Sequence, residues 1–214
     1  AYSLMDLESH KNLIISKFNV SRETYNILNI YKEAVIEKNT EINLISKTTI
    51  NNFTERHIID CMQAIDFIDI NSKTCTDIGA GAGLPGLVIA IMLKGKNIDM
   101  KLNLYEKSYK KSKFLLQISK KLNLDVEVLN KDIFKEENIS SGTIIARAFK
   151  PLPILLEIVE SKFTDYKNLI VFMGKNGKQL IEESIKNWEF EYKEKESLTN
   201  KDSFLINIKN IKKK

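Results

Sequence analysis

Apolar and polar positions follow two different rhythms along this chain. Before residue 70, apolar residues recur at three- and four-residue spacing over 7–18, 21–38 and 53–67, which predicts three amphipathic helices. In the second, Tyr25, Leu28, Tyr31 and Val35 make the apolar stripe, and Ser21 stands where an N-cap belongs. From residue 74 the rhythm changes. Short β-leaning runs at 74–78, 100–105, 126–130, 143–146 and 168–173 alternate with helix-length segments at 84–93, 108–122, 151–162 and from 177 to about 187. Two alternating runs, 189–197 and 204–210, close the chain as a hairpin. The pattern predicts one α/β domain with helices ahead of it, an open and mostly parallel sheet carrying an antiparallel last hairpin. The expected division is a helical lobe over 1–70, the α/β domain over 71–210, and a basic tail over 211–214, read as disordered. No internal repeat and no low-complexity linker interrupts it.

The first strand runs into Gly79, Gly81, Gly83 and Gly86, four of the eight glycines of the whole chain within eight positions. A strand, a glycine turn and a helix N-terminus form the cofactor corner of an open α/β sheet, where a ligand lies against bare main chain. The match to G-x-G-x-x-G, with Glu106 twenty residues beyond Gly86, admits a dinucleotide. Other features favour S-adenosylmethionine. Asp77, before the first glycine, can hold an amino group directly or through water and would gain nothing beside a pyrophosphate. Pro85 stiffens the turn and suits the first helical position. The chain beyond residue 74 is too short for a full dinucleotide fold plus a substrate domain, and an antiparallel strand added to the sheet is a methyltransferase arrangement.

Other candidates follow from where strands end. Glu106 closes the second strand, where a carboxylate can accept from both ribose hydroxyls of a cofactor. Asp132 lies just past the third strand, placed for an adenine amino group, with Ile133 against the ring. Arg147 ends the fourth strand and is expected to open into the crevice. On the early helix, Arg56, His57 and Asp60 are polar residues among apolar ones, with His57 either a hydrogen-bonded core residue or a substrate-side group. Lys107, Lys110, Lys111, Lys113, Lys120 and Lys121 load one side of the 108–122 helix, either as a solvated face or as a phosphate-contacting stripe.

Charge sharpens this only partly. The net charge is +5, which suits a polyanionic partner. Ile, Lys and Asn are abundant everywhere, however, as an AT-rich genome would dictate. Two cysteines, Cys61 and Cys75, and two histidines, His10 and His57, have no metal-ligand spacing, so neither a metal site nor a disulfide framework is expected. No apolar run approaches the ~18 residues of a membrane span. No secretory signal precedes the first helix, so a reducing cytoplasm is the expected compartment.

The ordered set Asn39, Asn43-Leu44-Ile45-Ser46, Arg56-His57-Ile58-Ile59-Asp60, Asp77 through Gly86, Lys111 through Leu115 and Arg147-Ala148-Phe149 resembles the bacterial ribosomal small-subunit methyltransferase G family, also called glucose-inhibited division protein B. The resemblance spans about residues 21–177. It implies a Rossmann-like class I S-adenosylmethionine-dependent methyltransferase sheet of seven strands. It also implies transfer of a methyl group to N7 of one guanine of 16S ribosomal RNA. It maps cofactor contacts onto Gly79, Leu84, Asp132, Ile133 and Arg147, with Glu106 at the ribose. The chain departs from the family in having Ala146 where a serine is usual, Met173-Gly174 with Lys175 one place late, and no tryptophan before Asn39.

Guanine N7 has no proton to lose, so such a reaction needs positioning more than a general base. That agrees with the absence of an Asp/Asn-Pro-Pro-aromatic tetrapeptide and of a cysteine placed to attack a pyrimidine. Arg147 is then the candidate for positioning the substrate. Asn43, Arg56, His57, Lys107, Lys110 and Lys111 are the RNA-side candidates, on free small-subunit RNA or the 30S particle, with the protein a monomer. The alternatives are an adenosylmethionine-dependent enzyme on another acceptor and an NAD-binding oxidoreductase.

Overall fold

The computed structural model describes residues 7–214; the first six residues of the expected lobe lie outside it. Seven strands form one sheet: β1 (Thr74–Asp77), β2 (Lys101–Tyr105), β3 (Val126–Leu129), β4 (Thr143–Ala146), β5 (Asn168–Met173), β6 (Trp188–Glu196) and β7 (Phe204–Lys213). Their spatial order is β3-β2-β1-β4-β5-β7-β6. The first five are parallel, and β7 enters antiparallel between β5 and β6. A short parallel pair, Ile139–Ser140 with Phe163–Asp165, was not foreseen.

Side chains alternate across the sheet and divide the core in two. Cys75, Leu102, Leu104, Ile145 and Ile170 pack under α1 (Leu7–Lys17), α2 (Arg22–Lys38), α3 (Gly86–Gly95) and α4 (Tyr109–Lys121). Ile144, Ala146, Leu169 and Val171 pack under α5 (Leu152–Lys162) and α6 (Gly177–Ile185). The early helices therefore share one buried cluster with α3, α4 and the sheet. Polar ties reinforce the join: Lys96 donates to the Phe18 carbonyl at 2.8 Å, and Asn168 donates to the Phe67 carbonyl at 2.7 Å.

The predicted elements recur with two informative differences. Ser21 caps α2 as expected, accepting from the Thr24 N–H. The expected 53–67 helix is instead a chain of unlike turns: π over Thr54–Ile59, one α turn at Asp60–Met62, and 3₁₀ over Gln63–Phe67, preceded by a 3₁₀ turn over Lys47–Asn52. The end of the chain is ordered, contrary to the expected loose tail. Ile211 is buried in the second core, and the Lys214 backbone N–H donates to the Asn187 carbonyl at 3.0 Å. A lysine-rich stretch reads as a tail only while its one apolar residue has no known partner.

Candidate active site

The glycine loop is built around Asp77. This side chain is fully buried at the end of β1; one carboxylate oxygen accepts from the Gly79 N–H at 3.2 Å and the other from the Gly86 N–H at 3.0 Å. It ties the two ends of the turn together. The expected contact with a ligand amino group is corrected accordingly: the carboxylate faces its own loop and lies outside the cleft. Burial, opposed by the two N–H bonds, pushes its pKa up to about 7. Gly83, at φ +96°, takes a left-handed conformation that a side chain would resist. At Gly86 a Cβ would lie 2.4 Å from Leu104 and 2.9 Å from Asp77. Pro85 stands one place before α3, not at its first residue. From α2, the Tyr31 hydroxyl donates to the Ala82 carbonyl at 2.7 Å, clamping the loop to the early helices.

A cleft of about 320 Å³ opens beside this loop at the carboxyl ends of β1–β4. Gly79 and Gly81 form one wall. Glu106 lies at the end of β2, with one oxygen accepting from the Gly81 N–H at 3.1 Å and the other from the Ser108 N–H at 2.8 Å. A carboxylate offers about four acceptor positions, so two remain for a pair of hydroxyls. Ile133 is buried and lines the cleft, and the neighbouring Asp132 accepts from the Phe134 N–H at 3.0 Å. Phe149 closes the side towards β4, packed so near Gly79 that a Cβ there would sit 2.3 Å from its ring. It is aimed by Ala148, itself left-handed at φ +50°. Lys107, Lys111, Lys131 and Lys150 rim the opening. Bare main chain, a carboxylate with spare acceptors and an apolar wall fit the sugar and ring of an adenosine cofactor.

Arg147 does not line this cleft. Its Nε donates to the Asp60 carboxylate at 2.9 Å, and its Nη2 donates to the Arg56 carbonyl at 2.7 Å. Nη2 also lies 3.2 Å from His57 Nδ1. A guanidinium can only donate, so Nδ1 is the acceptor and His57 carries its proton on Nε2, which faces Thr49 Oγ1 at 2.8 Å. Burial, then the charges of Arg147 and Arg56, lower the His57 pKa to about 4 and keep the ring neutral. The π turn at Thr54–Ile59 carries the carbonyl and the ring that meet the guanidinium. Asp60 also accepts from Gln63 and from Thr199 in the β6–β7 connection, so it joins three distant parts of the chain. The sequence flagged Asp60 among polar residues on its helix. Its pairing with Arg147, 87 positions away, carries no local signal.

The other predicted residues divide. Lys107 and Lys111 reach the rim, while Lys110 lines a separate groove on the far side of the same helix turn. Leu84 packs into the core under α2, and neither it nor Gly83 lines the cleft. Asn43 is exposed on a loop that Asn39 organises, its side-chain oxygen accepting from the Leu44 and Ile45 N–H groups at 2.8 and 3.0 Å. The Arg56 side chain is exposed; only its carbonyl joins the network. Lys175 is exposed beyond β5. Burial pushes the Cys61 thiol up to about 12 and the Cys75 thiol higher still, as suits two packing residues.

Comparison with known proteins agrees with this geometry. A structure of the 16S rRNA methylase RmtB aligns at TM-score 0.53, covering 95% of this chain and 80% of that one at 13% identity. M. jannaschii TYW2 in complex with AdoMet also aligns at 0.53, covering 82% of this chain and 80% of that one at 12% identity. These likenesses establish the class I methyltransferase fold. At the level of sequence, the protein named ribosomal RNA small subunit methyltransferase G of Pelagibacter ubique (strain HTCC1062) is 50% identical over 203 residues, 94% of this chain and 95% of its own. That of Orientia tsutsugamushi (strain Ikeda) is 32% identical over 193 residues, 90% of this chain and 93% of its own. The sequence model of the rRNA small subunit methyltransferase G family matches residues 24–207, from α2 into β7, so the chain belongs to that family.

Proposed function

We propose that this protein transfers the methyl group of S-adenosylmethionine to N7 of one guanine of 16S ribosomal RNA. The observation that carries the reading is the convergence of Glu106, the Gly79–Gly81 main chain and Ile133 on one cleft at the carboxyl ends of parallel strands. When bound, the cofactor supplies an activated methyl on a sulfonium. Glu106 would hold the ribose hydroxyls, Asp132 the adenine amino group and Ile133 the ring face, with the loop backbone passing beneath.

The guanine acceptor would offer its N7 lone pair to that methyl. N7 loses no proton, so the protein has only to hold the base in line and keep water out. Arg147 acts as a positioning residue: bound to Asp60 and His57, it fixes the end of β4 from which Phe149 reaches the cleft. The basic rim supports an RNA acceptor. On this reading the protein acts as a monomer in the cytoplasm, where its RNA acceptor is found. Among the described residues, no helix is long and apolar enough to cross a membrane.

The test is incubation of the protein with methyl-labelled S-adenosylmethionine and small-subunit RNA from a strain lacking this gene, supplied free and as particles. The expected result is label recovered as 7-methylguanosine at a single position. Tight cofactor binding without label on either form would move the acceptor elsewhere.

A further inference from the structure

A second opening lies outside the cofactor cleft. It is a groove of about 440 Å³ between the C-terminal end of α2 and the first turns of α4, with Tyr109, Lys110 and Lys113 along one side and Lys38, Glu41 and Ile42 along the other. Tyr109 is 70% exposed, an unusual setting for a large ring, and has no hydrogen-bond partner among the described residues.

The charge around that ring is one-sided. α4 contains five lysines and no aspartate or glutamate. None of the five has an ion-pair partner among the described residues. Some lysines elsewhere do find acids, among them Lys178 with Glu194, Lys195 with Asp66, and Lys213 with Glu157. What marks α4 is that it carries no acid of its own to offset its lysines. The one acid on the groove, Glu41, is already held by Lys38 at 2.7 Å, leaving the charge of Lys110 and Lys113 uncompensated.

The groove also adjoins the chemistry. Lys107, Ser108 and Lys111 line the cofactor cleft while Tyr109, Lys110 and Lys113 line the groove, so the two openings meet across a single helical turn. Tyr109 and Lys113 are about 6 Å apart along the helix axis, a step that neighbouring nucleotides of one strand can bridge. A flat ring flanked by free lysines is the chemistry that holds single-stranded nucleic acid, the ring taking a base face and the ammonium groups the phosphates.

We propose that this groove is a nucleobase subsite for the single-stranded RNA that enters the active site, with Tyr109 as the stacking surface and Lys110 and Lys113 as phosphate contacts. The proposal rests on an RNA acceptor and adds to it a place where a nucleotide flanking the target is held.

The experiment compares Tyr109→Ala, Tyr109→Trp and Lys113→Gln with the wild type. Fluorescence anisotropy with a labelled single-stranded fragment of small-subunit ribosomal RNA reads binding, and calorimetry reads S-adenosylmethionine affinity. Methyl incorporation is followed on free RNA and on particles. Tyr109→Ala is expected to weaken RNA binding roughly 5- to 150-fold, the range of one stacked base. It should raise KM for RNA while leaving cofactor affinity and kcat near wild type. Tyr109→Trp should restore binding, and Lys113→Gln should reduce the salt slope of binding by about 0.7.

Wild-type RNA binding by Tyr109→Ala would overturn the proposal, as would a tryptophan variant no better than the alanine one. A defect confined to particles, with the free fragment bound normally, would assign the ring to a protein contact and also overturn it. Should the wild type form no 7-methylguanosine while Tyr109→Ala still weakens RNA binding, the proposed reaction falls and the subsite stands.

Discussion

The two halves of this site are built on different principles. The cofactor cleft takes its loop and its carboxylate from nearby sequence: a strand end, a glycine turn and the next strand end lie within some thirty residues of one another. Its loop is held through main-chain groups: Asp77 beneath the loop and Glu106 in the cleft both accept from backbone N–H groups. The Arg147 cluster is made the other way. It joins the π turn, the end of β4 and the β6–β7 connection through side chains whose partners lie 87 and 139 positions away. A site of the first kind is set by local conformation and one of the second kind by tertiary packing. They should therefore fail differently.

The largest failure belongs to the second kind. Asp60→Ala removes the carboxylate from a guanidinium whose side chain is only 15% exposed. Breaking such a pair by deleting one partner costs about 3–5 kcal/mol, because the remaining charge stays buried. Urea unfolding should show that loss, with Asp60→Asn intermediate because it keeps an acceptor. A variant as stable as the wild type would mean that Arg147 finds water instead, and the contrast between the two halves would lapse. Gly86→Ala tests the first kind. Its new methyl meets Leu104 and Asp77 at 2.4 and 2.9 Å, and overpacking of that sort costs about 1–3 kcal/mol. Its stability loss should be smaller than that of Asp60→Ala and its loss of S-adenosylmethionine affinity larger, both measurable on one preparation by urea titration and calorimetry. Reversed rankings would break the comparison.

The same division explains what could be read from the chain alone. Glycine spacing, strand ends and period-two or three-to-four alternation are local. The seven strands, the antiparallel last hairpin, Glu106 at the end of β2 and Ile133 beside the third strand were therefore all legible. Side-chain direction was not. Asp77 and Arg147 occupy the expected positions at strand ends, yet Asp77 turns under its own loop and Arg147 turns towards the early helices. Which way a strand-end side chain faces depends on what packs against the sheet, and for Arg147 that is the 53–67 segment. Helical spacing predicts that segment as one regular helix, but its π turn sets a carbonyl and a ring against Arg147, a tertiary contact that no periodicity records. Ile211 teaches the same from the other end: three lysines after it suggested a tail, and burial against the second core overrides them.

The finest test, and the smallest effect in the wild type, is pH. Asp77 and His57 stand one in each half of the site and titrate with opposite consequences. The Asp77 pKa is raised from 3.8 to about 7, so the folded state binds its proton more tightly than the unfolded chain does. Its contribution to stability is present below the unfolded value and is lost as pH rises towards about 7. The His57 pKa is lowered from 6.5 to about 4, so the folded state holds the ring neutral. Its contribution is present above pH 6.5 and is lost as pH falls towards about 4. Across the shared window the two slopes oppose, and the wild type should show little net dependence from this pair. Asp77→Asn should expose the histidine, giving stability that rises with pH over that window. His57→Gln should expose the carboxyl, giving stability that falls from about pH 4 to 7. Urea midpoints at a series of pH values measure both. If the difference between the wild type and Asp77→Asn does not change with pH, the two N–H bonds outweigh burial and hold Asp77 as an ordinary carboxylate. The glycine loop would then be organised by a charge at every pH the enzyme meets.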